Sequence, residues 1–193
     1  MEWLYGTPAD FSGDEYDRIY ATLSPSRAKK IKSLKRPEDR IRSLTGDLLA
    51  QKLLAQMGVS NAVLEVAPSG QPVLSGCELF ISLSHSEKSV VCAVAETPVG
   101  IDIEKIRPVD LAISRHICTA EEAEYLFGHP PCKDDLKLCE DPEILHRFFE
   151  IWTGKEAYFK QQGTGITDLR SIHILPLPRK IILKDGFFIT VLF

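Results

Sequence analysis

Two stretches of the chain are predicted to form long helices, one in each half. The clearer stretch spans residues 37–57, where apolar residues recur at the three- and four-residue spacing of an amphipathic helix. These residues are Ile41, Leu44, Leu48, Leu49, Leu53 and Leu54. Gly58 follows them, and glycine is the residue type that most often ends a helix. The second stretch covers residues 142–162 and is followed in the same way by Gly163.

Shorter segments around these helices predict strands, further helices and turns. Residues 1–12 predict a strand and a turn, and more strands are expected at residues 63–66, 80–83, 90–95, 99–104, 171–175, 180–183 and 187–193. Helices are expected at residues 14–28, 111–115 and 119–127, and loops or turns at residues 68–72, 84–89 and 128–141. Helices precede strands twice, which indicates an α+β fold with two halves, residues 1–98 and 99–193.

Composition narrows the class of protein without identifying it. The chain has 193 residues, of which 44% are hydrophobic and 26% charged, as in soluble globular proteins. No apolar run reaches the roughly 18 residues of a membrane span, and the acidic N-terminus is not typical of a signal peptide. The five cysteines lack paired short spacing, which favours free thiols and a cytoplasmic location. A metal site formed by Cys132 and Cys139 with His129 and His146 is an alternative, but this spacing matches no usual zinc pattern.

A basic segment stands out against the net charge of −4. Its basic residues are Arg27, Lys29, Lys30, Lys32, Lys35, Arg36, Arg40 and Arg42, against two acids, Glu38 and Asp39. One interpretation is a solvated helical face, and another is a binding site for phosphates or for an acidic partner protein. A nucleic-acid-binding surface is a third hypothesis, which the acidic total and the lack of aromatic residues in the segment disfavour.

Two acidic residues share one face of the strand predicted at residues 99–104. Side chains alternate along a strand, so Asp102 and Glu104 project to one side and Ile101 and Ile103 to the other. The two carboxylates would lie about 7 Å apart and could converge on a hard cation. The polar face of a half-exposed strand is the simpler alternative.

A third acid lies on the second long helix. Trp152, Glu156 and Lys160 are spaced by four residues and so share a face of that helix. An acid beside a large aromatic residue on a partly buried face needs a cation or hydrogen bonds to satisfy it. An exposed Glu–Lys pair is the alternative interpretation.

Ser84, His85 and Ser86 offer several hydrogen-bond donors in a short stretch and suit a phosphate oxygen. A Ser–His hydrolase is the competing hypothesis. No Gly-x-Ser-x-Gly elbow is present in the sequence, however, and nothing in it picks out an orienting acid. Walker-type loops and dinucleotide fingerprints are also absent from the sequence.

In combination, these motifs resemble the phosphopantetheinyl transferase superfamily. The resemblance is carried by Gly100-Ile101-Asp102-Ile103-Glu104 and, about fifty residues later, by Trp152 with Lys155, Glu156 and Lys160. Ser84-His85-Ser86 lies upstream and Gly163-Thr164-Gly165 downstream, and the similarity covers roughly residues 27–171. The chain length and the long segment before Asp102 are similar to the Sfp-type branch. That branch implies a pseudodimer of two similar α+β halves, with one metal site at their junction and a monomeric state.

The resemblance implies an activity and a set of site residues. The activity is Mg²⁺-dependent transfer of the 4′-phosphopantetheine arm of coenzyme A to a serine of an apo acyl or peptidyl carrier protein, with release of 3′,5′-ADP; Mn²⁺ is an alternative metal. Asp102, Glu104 and Glu156 are the implied metal ligands, and Glu156 is also the favoured general base. The residues implied to bind coenzyme A are Arg42, Lys29, Lys30, Ser84, His85 and Lys155, and Lys160 adds positive charge near the reacting phosphates.

Two positions depart from the family pattern. Gln71 stands where the family often has a phosphate-binding lysine, and the chain ends at Phe193, earlier than many Sfp-type members. We therefore expect weaker binding of coenzyme A and question whether the second half is complete. A non-catalytic pseudodimer that only binds coenzyme A or a carrier protein is the alternative function.

Overall fold

Two three-stranded antiparallel sheets, each covered by one long helix, form the centre of the described fold. The computed structural model describes residues 1–165 and 168–193. In the N-terminal part the elements are β1 (Glu2–Gly6), α1 (Gly13–Ala21), α2 (Pro25–Ser33), α3 (Pro37–Gln56), β2 (Val63–Val66), β3 (Pro72–Ser75), β4 (Phe80–Ser86) and β5 (Ser89–Ala95). The first sheet has the strand order β1-β5-β4, and β2 and β3 pair as a separate hairpin.

The C-terminal part repeats this connectivity. Its elements are β6 (Gly100–Lys105), β7 (Val109–Asp110), α4 (Ser114–Ile117), α5 (Ala120–Phe127), β8 (Leu138–Cys139), α6 (Pro142–Gln162), β9 (Arg179–Lys184) and β10 (Phe187–Leu192). The second sheet has the order β6-β10-β9, and β7 pairs with β8. In both sheets a first strand leads to a long helix and then to a hairpin whose second strand lies in the centre. The prediction of an α+β fold is confirmed.

The two sheets share a buried core. On one face of β5, Val91 and Ala93 pack against Ile101 and Ile103 of β6 and against Ile189 of β10. The opposite face of β5 packs against α3, and β10 packs in the same way against α6. All seven residues of β5 are buried. The packing of the two sheets is therefore continuous, and β4 of the first sheet lies beside β6 of the second.

Two local predictions are wrong for identifiable reasons. Residues 14–28 form two helices instead of one, because Ser24 accepts a hydrogen bond from Arg27 N as the N-cap of α2 and Pro25 occupies its first turn. Proline disfavours a helical conformation in the residue before it, so α1 ends upstream. Residues 84–89 are not a loop, since β4 and β5 continue to Ser86 and Ser89. Glu87, at a φ of 52°, allows the tight turn between them.

The strand predicted at residues 171–175 is also wrong. A 3-10 turn at Leu169–Ser171 leads into irregular backbone, where Ile172 O accepts from Lys155 and Ile174 N donates to Glu122. These side chains satisfy backbone groups that a neighbouring strand would otherwise satisfy. The sequence patterns also gave no indication of β3, β7 or β8.

The described residues bear on three predictions: unpaired cysteines, a metal site at Cys132 and Cys139, and the lack of a membrane-spanning segment. In the described part of the chain the five cysteines are free, so the prediction of unpaired thiols is confirmed there. Across the same ranges, no three His, Cys, Asp or Glu side chains form a ready-made metal cluster, which gives the Cys132–Cys139 metal hypothesis no support. None of the described helices is long and apolar enough to cross a membrane.

Candidate active site

The predicted acids Asp102 and Glu104 lie on β6, where this strand runs beside β4. Asp102 is 3% exposed, and its Oδ1 accepts hydrogen bonds from Ser84 Oγ at 2.7 Å and from Lys160 Nζ at 2.6 Å. Glu104 Oε2 accepts a hydrogen bond from Ser86 Oγ at 3.0 Å. The seam between the two sheets therefore contains both carboxylates and the lysine predicted from the helix motif.

Helix α6 reaches this seam because β6 begins with a glycine. A Cβ at Gly100 would lie 1.8 Å from the carbonyl oxygen of Ala157, so any other residue would push the helix away. The close contact brings the turn that carries Glu156 and Lys160 over Asp102. A strand and a helix distant in sequence thus contribute to one site, as the motif spacing predicts.

The three acids Asp102, Glu104 and Glu156, hereafter the carboxylate cluster, influence one another electrostatically. Burial, followed by the charge of Asp102, raises the pKa of Glu156 to about 7. Burial and the same charge also raise the pKa of Glu104. Like charges held close together in a partly desolvated site favour protonation of one of them. A bound cation would relieve this repulsion.

The donor set of the carboxylate cluster suits a hard divalent cation. Among the residues that the structure describes, Asp102 Oδ2 is buried and has no hydrogen-bond partner. A buried carboxylate oxygen of this kind costs free energy unless something binds it. Magnesium is commonly held by one or two protein carboxylates together with substrate phosphates and waters. The three acids fit such a site in chemistry and burial, although among the described residues no three His, Cys, Asp or Glu side chains lie close enough together to hold a metal ion by themselves.

A cationic cavity of about 440 Å³ adjoins the seam on the side of the N-terminal sheet. Lys30, Arg42, Ser84 and His85 line it, all of them predicted to bind coenzyme A. Lys29, the alternative to Lys30, is not among the described residues that line this cavity. Arg42 is held in place by an ion pair with Asp39 and by a hydrogen bond from Nη1 to the carbonyl of Glu87.

The electrostatics of this cavity favour an anion. Partial burial and the positive charges of Arg42 and Lys160 lower the pKa of His85. The neutral imidazole is therefore preferred in the free protein. A phosphate in the cavity would place negative charge among these cations and reverse that preference.

Arg27 has a structural role that the basic segment did not reveal. It is 6% exposed and donates to both oxygens of Asp47, from Nε at 2.9 Å and from Nη2 at 2.6 Å. This bidentate pair fixes α2 against α3, which places Lys30 at the cavity. In the sequence, the only indication of this ion pair was an acidic residue, Asp47, twenty residues after Arg27.

Lys155 does not lie at the site, contrary to the prediction that it binds coenzyme A. The side chain is 0% exposed, and Nζ lies 2.6 Å from Glu122 Oε2. It also donates to the carbonyl oxygens of Ile117, Leu169 and Ile172. Adjacent residues on a helix point in directions about 100° apart, so Glu156 faces the seam while Lys155 faces the interior of the C-terminal part.

Gln71, which stands where the family often has a phosphate-binding lysine, also faces away from the cationic cavity. Gly70 and Pro72 line that cavity, whereas Gln71 lines a separate cavity beside Gly163. A polar but uncharged residue is compatible with this placement.

Comparisons with known proteins agree with the geometry. The family model of the 4′-phosphopantetheinyl transferase superfamily matches residues 98–188. The 4′-phosphopantetheinyl transferase Sfp of Bacillus subtilis (strain 168) is 29% identical over 85% of this chain and 71% of its own length. HetI of Nostoc sp. is 30% identical over 91% and 74%, respectively. A further 4′-phosphopantetheinyl transferase of Bacillus subtilis is 31% identical over 97% of this chain and 80% of its own. With such similarity along nearly its whole length, the chain belongs to the 4′-phosphopantetheinyl transferase superfamily.

Proposed function

We propose that the protein transfers the 4′-phosphopantetheine arm of coenzyme A to a serine hydroxyl of an apo acyl or peptidyl carrier protein. One observation carries the proposal: the carboxylate cluster and Lys160 meet at the seam between the sheets, directly beside a cationic cavity. Such a layout suits a reaction in which a diphosphate is cleaved next to a bound nucleotide. The names of the relatives support the same reaction class.

The adenine nucleotide of coenzyme A belongs in the cationic cavity. Lys30 and Arg42 supply positive charge for the 3′-phosphate, and His85 supplies a hydrogen bond to a phosphate oxygen. Ser84 contributes by fixing Asp102 and Lys160, because its hydroxyl is shared between them. The diphosphate then extends along the seam toward β6.

The carboxylate cluster is the proposed site for a divalent cation, Mg²⁺ or Mn²⁺. When bound, the cation stabilises negative charge on the attacked phosphate and on the departing 3′,5′-ADP. Asp102 supplies its unpartnered oxygen, and Lys160 neutralises the other. Glu104 and Glu156 complete the ligand set.

Residues of the chain can assist the bond formation, the bond cleavage and the proton transfer of this reaction. The serine oxygen of the carrier attacks the phosphorus that bears the pantetheine arm, and the bond from this phosphorus to the bridging diphosphate oxygen breaks. Glu156 is the proposed acceptor of the serine proton. Lys160 holds positive charge beside the phosphates as 3′,5′-ADP leaves.

A second cavity, of about 320 Å³, lies on the other side of Glu104 and suits the pantetheine arm. Phe148, Trp152 and Ile113 contribute apolar walls, and Arg107 and Asp110 line it as well. The rings of Phe148 and Trp152 stack with planes 11° apart. A mostly apolar wall with a few polar groups is typical of a pocket for an amide-containing chain.

The two halves, residues 1–98 and 99–193, are proposed to form a pseudodimer that acts as a monomer. The repeated strand order supports this, as does the meeting of Asp102, Glu156 and Lys160 of one chain at a single seam. A cytoplasmic location is proposed on the free thiols, because a reducing compartment preserves them.

Intact mass spectrometry tests the proposed function. An apo carrier protein incubated with the enzyme, coenzyme A and Mg²⁺ should gain the mass of one phosphopantetheine arm. Glu156→Gln should slow this gain by about 10²–10⁴-fold, the usual effect of losing a general base. Coenzyme A binding that is indifferent to Mg²⁺, together with no mass gain on fatty acid, polyketide and peptide carriers, would instead indicate a binding protein.

A further inference from the structure

Three serines on β4 form hydrogen bonds to β6, and we name them the serine ladder: Ser82, Ser84 and Ser86. They alternate along the strand, so their hydroxyls lie on one face. Ser82 Oγ accepts from Ile101 N at 3.0 Å, and Ser86 Oγ accepts from Lys105 N at 3.1 Å. Between them, Ser84 Oγ donates to Asp102 Oδ1 at 2.7 Å. The serine ladder therefore joins the edge strands of the two sheets.

These hydroxyls replace a backbone ladder between β4 and β6. Ser82 is 3% exposed and Ser84 is 8% exposed, so little water reaches the seam. A buried backbone N–H without a partner costs about 1–3 kcal/mol. Ser82 satisfies a buried N–H of this kind, that of Ile101, and Ser86 satisfies the partly buried N–H of Lys105. Both bonds fix the position of β6 against β4.

Ser82 and Ser86 differ in two respects. The hydrogen bond from Ile101 N to Ser82 is buried, whereas the one from Lys105 N to Ser86 is only partly buried. Both accept from a backbone N–H of β6, but Ser86 Oγ also donates to Glu104 Oε2 at 3.0 Å. One hydroxyl thus fixes both the strand and the direction of a carboxylate. Ser84 acts on Asp102 but shares its hydroxyl with Lys160, whose Nζ lies 2.7 Å away. The effect of a hydroxyl on a carboxylate is therefore easier to isolate at Ser86 than at Ser84.

We infer that Ser86 is a positioning residue, which orients Glu104 for binding the cation within the carboxylate cluster. The inference rests on the proposed function. Glu104 is half-buried, and the hydrogen bond from Ser86 to Oε2 favours one orientation of its carboxylate. The Trp152 side chain interacts with the same carboxylate. Partners that orient metal ligands in this way typically change metal affinity by about 10–100-fold.

Ser82 provides a matched control for the test. Ser82→Ala and Ser86→Ala each remove one hydroxyl that accepts from β6, so both should lower the melting temperature. Only Ser86→Ala also releases Glu104. Ser86→Thr keeps the hydroxyl and should restore the wild-type behaviour.

The experiment measures Mn²⁺ binding by the loss of the free-ion EPR signal, with coenzyme A present and the carrier absent. Ser86→Ala should weaken Mn²⁺ binding by about tenfold, while Ser82→Ala and Ser86→Thr stay close to wild type. In transfer assays, Ser86→Ala should need proportionally more metal for half-maximal rate, with an unchanged KM for the carrier. Should Ser86→Ala not fold, Ser86→Cys keeps the volume with a much weaker donor and should weaken Mn²⁺ binding in the same direction.

The outcomes separate this inference from the proposed function. Equal Mn²⁺ affinity in Ser82→Ala and Ser86→Ala, with normal transfer by the wild type, would overturn the role of Ser86 alone. A wild-type protein that neither binds Mn²⁺ with coenzyme A nor modifies a carrier would overturn both.

Discussion

The orientation of a side chain, more than its place in a motif, decides what each charged residue does here. Lys155 and Lys160 lie five residues apart on α6, and sequence similarity implied phosphate contacts for both. Lys155 is enclosed with Glu122, each with a side chain that is 0% exposed, whereas the Lys160 side chain is 29% exposed beside Asp102. One lysine is therefore enclosed in the fold, and the other is partly exposed to solvent beside Asp102.

Substituting each lysine with methionine should separate these roles. Lys155→Met leaves Glu122 buried without its partner, which typically costs about 3–5 kcal/mol and should lower the melting temperature by roughly 6–20 °C. Lys160→Met also removes the partner of a buried acid, Asp102, but should lower the melting temperature by less, because the Lys160 side chain is 29% exposed and Ser84 still donates to Asp102. It should slow transfer by about 10²-fold or more. Differential scanning fluorimetry and carrier modification measure the two effects. Equal melting temperatures for the two variants would contradict the assignment.

His85 should make coenzyme A binding depend on pH. Its imidazole is mostly neutral in the free protein, because partial burial and the charges of Arg42 and Lys160 lower its pKa, with Asp39 opposing them. A bound phosphate raises that pKa, so binding takes up protons and is strongest below the free pKa. Affinity should then fall as pH rises through the raised pKa of the complex.

Isothermal titration in buffers of different ionisation enthalpy measures this proton uptake. The wild type should take up part of a proton near neutral pH, and His85→Gln should take up less. Protonation of the coenzyme A phosphates themselves is common to both proteins and cancels in the comparison. Identical proton uptake by the two would show that His85 is not protonated when coenzyme A binds.

At the scale of elements, long periodic patterns predicted helices and strands correctly, whereas the points at which shorter elements begin and end were often predicted wrongly. Helices α3 and α6 end within a residue of their predicted ends. A long helix that packs against the core must place apolar residues at regular spacing, so its sequence carries a strong periodic pattern. The helix predicted at residues 14–28 failed because a single proline outweighs moderate helical propensity. The carboxylate pair on β6 was predictable from strand alternation. The serine ladder was not, because its partners belong to another sheet.

The approach of α6 to β6 makes a sharp prediction at Gly100. In Gly100→Ala the new Cβ would meet the backbone of Ala157 at 1.8 Å, and a backbone oxygen cannot rotate away. The helix must shift, which should cost about 1–3 kcal/mol or more and displace Glu156 from Asp102. We expect a lower melting temperature and a transfer rate reduced by at least about tenfold.

Gly13→Ala is the matched control for Gly100→Ala. Gly13 lies in the first turn of α1, and a Cβ there would meet nothing within 4 Å. This variant should retain the wild-type transfer rate and melting temperature. Normal transfer by Gly100→Ala would show that the site does not depend on close contact between α6 and β6.

At the scale of the whole molecule, the repeated connectivity raises the question of whether the halves are independent. Each has its own sheet and long helix, an arrangement that in other proteins allows separate folding. Here Val91 and Ala93, on the inner face of β5, are 0% exposed and pack against the second sheet. Either half alone would expose this apolar face. The two should therefore unfold together.

The two tryptophans provide a direct measurement, since each lies in a different half. Trp3 is on β1 of the first sheet, and Trp152 is on α6. Trp152→Phe leaves a fluorescent reporter of the N-terminal half, and Trp3→Phe leaves one of the C-terminal half. In urea, each variant should show the same midpoint by its own fluorescence and by circular dichroism, as expected of a two-state transition.

Fluorescence midpoints that differ from the circular dichroism midpoint of the same variant would mean that the halves unfold separately. In that case the seam that carries the carboxylate cluster could open without loss of either sheet, and metal binding would report on docking of the halves instead of on folding.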